Sequence, residues 1–150
     1  MDLSETRTDE HLAKDGVWVP LDGETKLCIA QWLNHNHRQY LQKALDPYKR
    51  ALATKTMKDD VMENLEVIGI AKCVLLGWEG LTDNGKPVEY SEGAAIKYLG
   101  DSTLRWFRDF VTEQAQDISN FRAAVTEEAI EAVGKPSSGG SIGVKEVKAS

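Results

Sequence analysis

Val67-Ile68-Gly69-Ile70-Ala71-Lys72-Cys73-Val74-Leu75-Leu76-Gly77-Trp78 is the longest apolar stretch of the chain, interrupted by one charge, and its reading decides the fold. A bilayer span needs about 20 apolar residues, so a run of this length reads as a buried core element and not as a membrane helix. Asp59 and Asp60 favour a helix start just upstream through the helix dipole. Val61, Leu65, Ile68, Leu75 and Leu76 fall on one side of such a helix, and Val67, Ala71, Val74 and Trp78 fill another. A helix apolar nearly all round belongs at the centre of a domain. The pattern therefore predicts one central helix from residue 59 to an end near Gly77 or Gly80.

Working outward, Val17-Trp18-Val19-Pro20-Leu21 and Glu24 to Trp32 flank Asp22-Gly23, a hairpin signal. Leu27 and Ile29 alternate with Lys26, Cys28 and Ala30 as a half-buried strand would, and Pro20 suits an edge strand. Asn34 to Asn36 offer helix N-caps, and Leu41, Ala44, Leu45, Tyr48 and Leu52 recur at helical spacing. Asp46-Pro47 inside that run predicts a kink or restart. After the central helix comes a loop, Thr82 to Pro87. A short helix follows, from the Ser91 cap to Leu99, and Gly100 ends it. Leu104, Phe107, Val111, Ile118, Phe121 and Val125 predict a last long helix, with Gln114 in one core position and Trp106 and Phe110 widening the apolar arc. Thr126 can cap a final turn over Glu127 to Val133.

The expected architecture is mainly α: a compact helical domain with a small N-terminal β-hairpin. Residues 1–15 hold five acids and two bases without apolar periodicity and read as a flexible arm. Residues 16–133 form the single domain, and residues 134–150, rich in Gly and Ser, read as a flexible tail. A chain of 150 residues can build one hydrophobic core without metals or disulfides. No apolar h-region opens the sequence, so no secretory signal is expected.

The chemistry of the chain is sparse. Cys28 and Cys73 make neither a zinc pattern nor a redox pair and read as reduced core thiols. His35 and His37 diverge by about 200° on a helix, so they read as a solvent-facing helix start and not as metal ligands. Asp59, Asp60, Glu63 and Glu66 open a helix as a solvated acidic face. The nucleotide-binding, nucleophile-elbow and EF-hand patterns are absent. No catalytic, cofactor-binding or metal residue is assigned, and the expectation is a protein that is not an enzyme. The net charge of −6 argues against general nucleic-acid binding. Arg38 to Lys58 nevertheless carries six bases and one acid, a stretch that could touch phosphate or an acidic partner.

Trp78-Glu79-Gly80-Leu81, Asp83, Gly85-Lys86-Pro87, Tyr90-Ser91, Phe107, Phe110, Ala115, Asp117 and Asn120-Phe121-Arg122 resemble the tail assembly chaperones of long-tailed bacteriophages. The resemblance runs from about Gly16 to Val133. It implies a non-enzymatic protein of the host cytoplasm that coats the tape measure protein, keeps it soluble, helps the tail tube assemble and is absent from the mature virion. Family members are often made in two forms, the longer one produced by a ribosomal frameshift and recruiting tail tube protein. Val133-Gly134-Lys135 could be encoded by a slippery heptamer. A chaperone of a helical client needs exposed apolar grooves or aromatic anchors on a soluble exterior. Trp78, Tyr90, Trp106 and Phe110 are the candidate protein-binding residues, Trp106 first, because it stands about 160° from Leu104, off the main stripe. The alternatives are a structural or connector protein of the phage tail and a small DNA-binding regulator using Arg38 to Lys58. Neither a membrane nor a cofactor is implied, and a homo-oligomer is left open.

Overall fold

The computed structural model describes residues 2–122. The apolar run is split between two kinds of element. Helix α4 spans Asp59–Cys73, with Val67, Gly69, Ile70, Ala71 and Cys73 buried. Strand β3, Leu75–Glu79, follows after one residue. It joins β1 (Val17–Pro20) and β2 (Lys26–Ile29) in an antiparallel sheet of order β1-β2-β3.

The register explains why this strand looks helical in sequence. Leu27 faces Trp78 and Cys28 faces Gly77, but Ile29 faces Leu75, so Leu76 is an extra residue in a bulge. The bulge turns both Leu75 and Trp78 inward, and both are buried. Strict alternation would separate them. Three-residue spacing of inward side chains is the signature of a helix face, and a short apolar run carries no other periodicity to correct it.

The expectation of a mainly α protein with only a hairpin is therefore corrected. The fold is mixed α/β, with a second, two-stranded antiparallel sheet, β4 (Thr82–Asp83) and β5 (Lys86–Pro87), in place of the expected loop. Asn84 and Gly85 take φ of 52° and 76° between those strands, the conformation a tight hairpin turn requires. The β1–β2 hairpin forms where the sequence places it, with β1 and its Pro20 at the sheet edge. Its turn closes through Asp22, whose carboxylate accepts from the backbone N–H of Glu24 (2.8 Å) and of Thr25 (2.7 Å).

Helix α2, His35–Leu45, starts at Asn34, whose side chain accepts from His37 N–H. The Asn34 amide also donates to the Cys73 carbonyl (2.9 Å), fastening the start of α2 to the end of α4. At Asp46-Pro47 the chain passes through one 3₁₀ turn and restarts as α3, Lys49–Ala53, as a proline within the first turn of a helix allows. Helix α5, Glu92–Leu99, is capped by Ser91.

The last helix, α6, spans Arg105–Gln116 and stops short of its expected length. Asp117 is extended, and a 3₁₀ turn, Ile118–Phe121, follows. The Asn120 amide donates to the Gln114 carbonyl (3.0 Å) and to its side-chain oxygen (3.1 Å). Gln114, read as an odd polar residue in an apolar stripe, thus helps to hold the chain where the helix ends. Val125, the final turn after Thr126, the tail from residue 134 and the Val133–Lys135 codons lie outside the described residues.

Residues 2–15, read as an arm, carry a helix, α1, Glu10–Asp15, capped by Asp9 and burying Ala13. Asp9 N–H donates to the Phe121 carbonyl (2.7 Å), and Thr8 bridges to Arg122. These contacts pair the two ends of the described chain, and no local pattern in residues 1–15 announces them. One core joins the inner faces of β1, β2 and β3 to α4, α5, α6 and Phe121.

Candidate functional site

The site grows from the end of β3. Gly80 takes φ of +82°, and a Cβ there would lie 2.0 Å from the Glu24 carbonyl oxygen. Only glycine lets the chain turn so close to the β1–β2 loop. The turn delivers Leu81 to the β4–β5 hairpin, and Val88 N–H donates back to the Leu81 carbonyl (2.9 Å). Behind the hairpin, Trp78 Nε1 donates to the Val88 carbonyl (2.8 Å), and Tyr90 Oη donates to the Leu75 carbonyl (2.9 Å). Trp78 meets Tyr90 and Tyr98 edge to face, with ring centroids 5.0 and 6.4 Å away.

Between this hairpin and α6 lies an apolar groove of about 140 Å³, lined by Leu81, Thr82, Asp83, Val88, Tyr98, Leu104, Trp106 and Phe107. Tyr98 Oη donates to Asp83 Oδ2 (2.9 Å), joining α5 to β4 across one wall. That hydrogen bond holds the Tyr98 phenol above its ordinary pKa. Trp106 stands on the first turn of α6, 55% exposed, with its ring edge-on to Phe107 at 5.8 Å.

Of the four residues singled out in the sequence, Trp106 lines the groove. Trp78 is 6% exposed and holds the groove from behind through Val88 and Tyr98. Tyr90 packs on Trp78, one step further back. Phe110, one helical turn from Trp106, is half-buried against the core. Leu81, Val88, Tyr98, Leu104 and Phe107 were not singled out as site residues. Asn84-Gly85 is the signal that could have found the first two, since a hairpin turn there brings its flanks together.

The remaining aromatic and titratable groups divide between core and surface. Trp18 is 40% exposed on the outer sheet face, with the Lys26 ammonium 5.1 Å from its ring centroid. His37, expected at a solvent-facing helix start, is instead buried. Its Nδ1 accepts from Leu33 N–H (3.0 Å) and its ring meets Trp32 edge-on at 4.8 Å. That bond supports Leu33 at a φ of 59°, and burial lowers the His37 pKa. Cys28 and Cys73 are buried free thiols. Burial pushes the Cys28 thiol up to about 11 and raises Cys73 as well, the opposite of what a nucleophilic cysteine needs.

Asp59, Asp60, Glu63 and Glu66 are all exposed. Glu63 also accepts from Arg108 Nη2 of α6 at 3.0 Å. The six bases from Arg38 to Lys58 are exposed too. Among the described residues, no three His, Cys, Asp or Glu side chains cluster as metal ligands would. No described helix is long and apolar enough to cross a membrane.

Fold and groove together describe a small α/β protein that carries, among its described residues, an apolar groove beside an exposed tryptophan. The family model described as YdaY prophage protein matches residues 33–132. That range is two thirds of the 150 residues, and the chain belongs to this phage-derived family. The match contains the whole groove and leaves out the β1–β2 hairpin. No curated protein and no solved structure matches the chain.

Proposed function

We propose that this protein is a non-enzymatic tail assembly chaperone that binds the tape measure protein of its phage in the host cytoplasm and is left out of the finished virion. The observation that carries the reading is Trp106, half-exposed over an apolar groove on a chain of net charge −6. An exposed tryptophan beside a preformed apolar depression is the usual form of a protein-binding hot spot. Membership of a prophage family agrees with this role. Shielding is the mechanism: the groove and the flanking α6 surface cover apolar stripes of a long helical client, and the acidic exterior keeps the complex dissolved.

The test is co-expression with the tape measure protein encoded by the same prophage. The soluble fraction of the client should rise, and an unchanged pellet would count against the proposal. Mass spectrometry of purified particles separates a chaperone, which should be missing, from a connector protein that stays. A gel shift with a steep salt dependence would instead favour a DNA-binding regulator acting through Arg38 to Lys58. The gene sequence at codons 133–135 shows whether a slippery heptamer is there to make a longer, tube-recruiting form.

A further inference from the structure

We infer that the groove takes one large apolar side chain, such as leucine or phenylalanine, projecting from a helix of the partner whose flanks are basic. The inference rests on the chaperone reading for the helical nature of the partner and adds what that helix must display.

Size is the first argument. About 140 Å³ is well below the ~300–1,000 Å³ of small-molecule sites, and it suits a single side chain. Polarity is the second. Six of the eight lining residues are apolar or aromatic. Tyr98, the aromatic wall residue that carries a hydroxyl, already gives its proton to Asp83. The walls therefore reward an apolar occupant, with the Tyr98 hydroxyl already engaged and Thr82 the other hydroxyl in the lining.

Area is the third argument, and it weighs against a flat contact with a second copy of the chain. The exposed part of Trp106 amounts to on the order of 100 Å², against about 800 Å² per partner in a stable interface. The other exposed large apolar side chains among the described residues are Leu3, Trp18, Leu33, Leu52, Met62 and Ile118, and none lines the groove. A flat contact would leave the groove empty, whereas a projecting side chain would fill it and pack under the Trp106 ring. Charge is the fourth. At long range the net charge of −6 steers a basic segment toward the chain and slows an acidic one, while at the groove itself Lys97 stands over the Tyr98 ring.

The full chain is titrated with two synthetic alanine–lysine helices that differ at one central position, leucine in one and alanine in the other. The leucine peptide should bind at least tenfold more tightly. Trp106→Ala should abolish that preference, and Trp18→Ala, which removes an exposed tryptophan outside the groove, should keep it. Equal binding of the two peptides, or a preference that survives Trp106→Ala, overturns the inference.

Co-expression with the tape measure protein separates the two readings. A client kept soluble by a protein that shows no leucine preference overturns the anchor and leaves the chaperone. A clear leucine preference with a client that stays insoluble supports the anchor and overturns the chaperone.

Discussion

Glu63 and Arg108 join α4 to α6 in an unequal pair, and removing the acid should be costly in a way that removing the base is not. The Arg108 side chain is 6% exposed while Glu63 is 52% exposed, with Nη2 and Oε2 3.0 Å apart. Arg108 Nη1 is also buried, with no hydrogen-bond partner among the described residues. Glu63→Ala would leave a buried guanidinium without its counter-charge. Breaking a fully buried pair costs roughly 3–5 kcal/mol. Solvent reaches the Glu63 end, so the loss is discounted to about 2 kcal/mol.

Arg108→Met removes the desolvated charge and its unpartnered nitrogen together, and should stay within about 1 kcal/mol of the parent. In the double variant Glu63→Ala should then cost almost nothing. Urea unfolding followed by tryptophan fluorescence gives the free energies. The single Glu63 variant should also melt roughly 4–8 °C lower in a protein of this size. A loss below about 0.5 kcal/mol for Glu63→Ala, or a larger loss for Arg108→Met, would refute the reasoning.

Three further outcomes are expected. Gly80→Ala should cost at least about 2 kcal/mol, measured by urea unfolding, because its Cβ meets the Glu24 carbonyl and its φ is positive. His37 is held neutral by burial, so its native pKa lies below the unfolded value and the unfolded chain binds the extra proton first. Stability should therefore be full above about pH 6.5 and fall as pH drops through the lowered native value. Thermal melts of His37→Asn between pH 7 and pH 5 should show a flatter profile. Cys28 and Cys73, buried with raised pKa values, should resist a thiol reagent at pH 8 and react fully in urea. Fast labelling of the native protein would show that the sheet and α4 open locally.

Much of the architecture was written in short-range chemistry. Asn34 and Ser91 cap the helices they precede, Pro47 restarts one, and Asp22-Gly23 marks a hairpin. In each, a side chain meets backbone within about four residues, so neighbours in sequence suffice to predict it. The angle of Trp106 on α6, off the main apolar stripe, agrees with its exposure, but angle alone did not separate it from Phe110, which packs half-buried against the core.

Other features needed partners that are far away in the chain. Leu75 to Glu79 are a strand because β2 offers an open edge some 50 residues earlier and a bulge at Leu76 admits both Leu75 and Trp78 to the core. Residues 8–15 settle because distant segments receive them: Asp9 N–H donates to the Phe121 carbonyl, Thr8 bridges to Arg122, and Gln31 N–H donates to the Ala13 carbonyl. His37 is buried because α4 passes it with Gly69, where a Cβ would lie 3.5 Å from Nε2. The groove itself is a joint between hairpin, α5 and α6. Periodicity reports which face of an element is apolar, but whether that face is sealed or left open depends on the shape of the elements packed beside it.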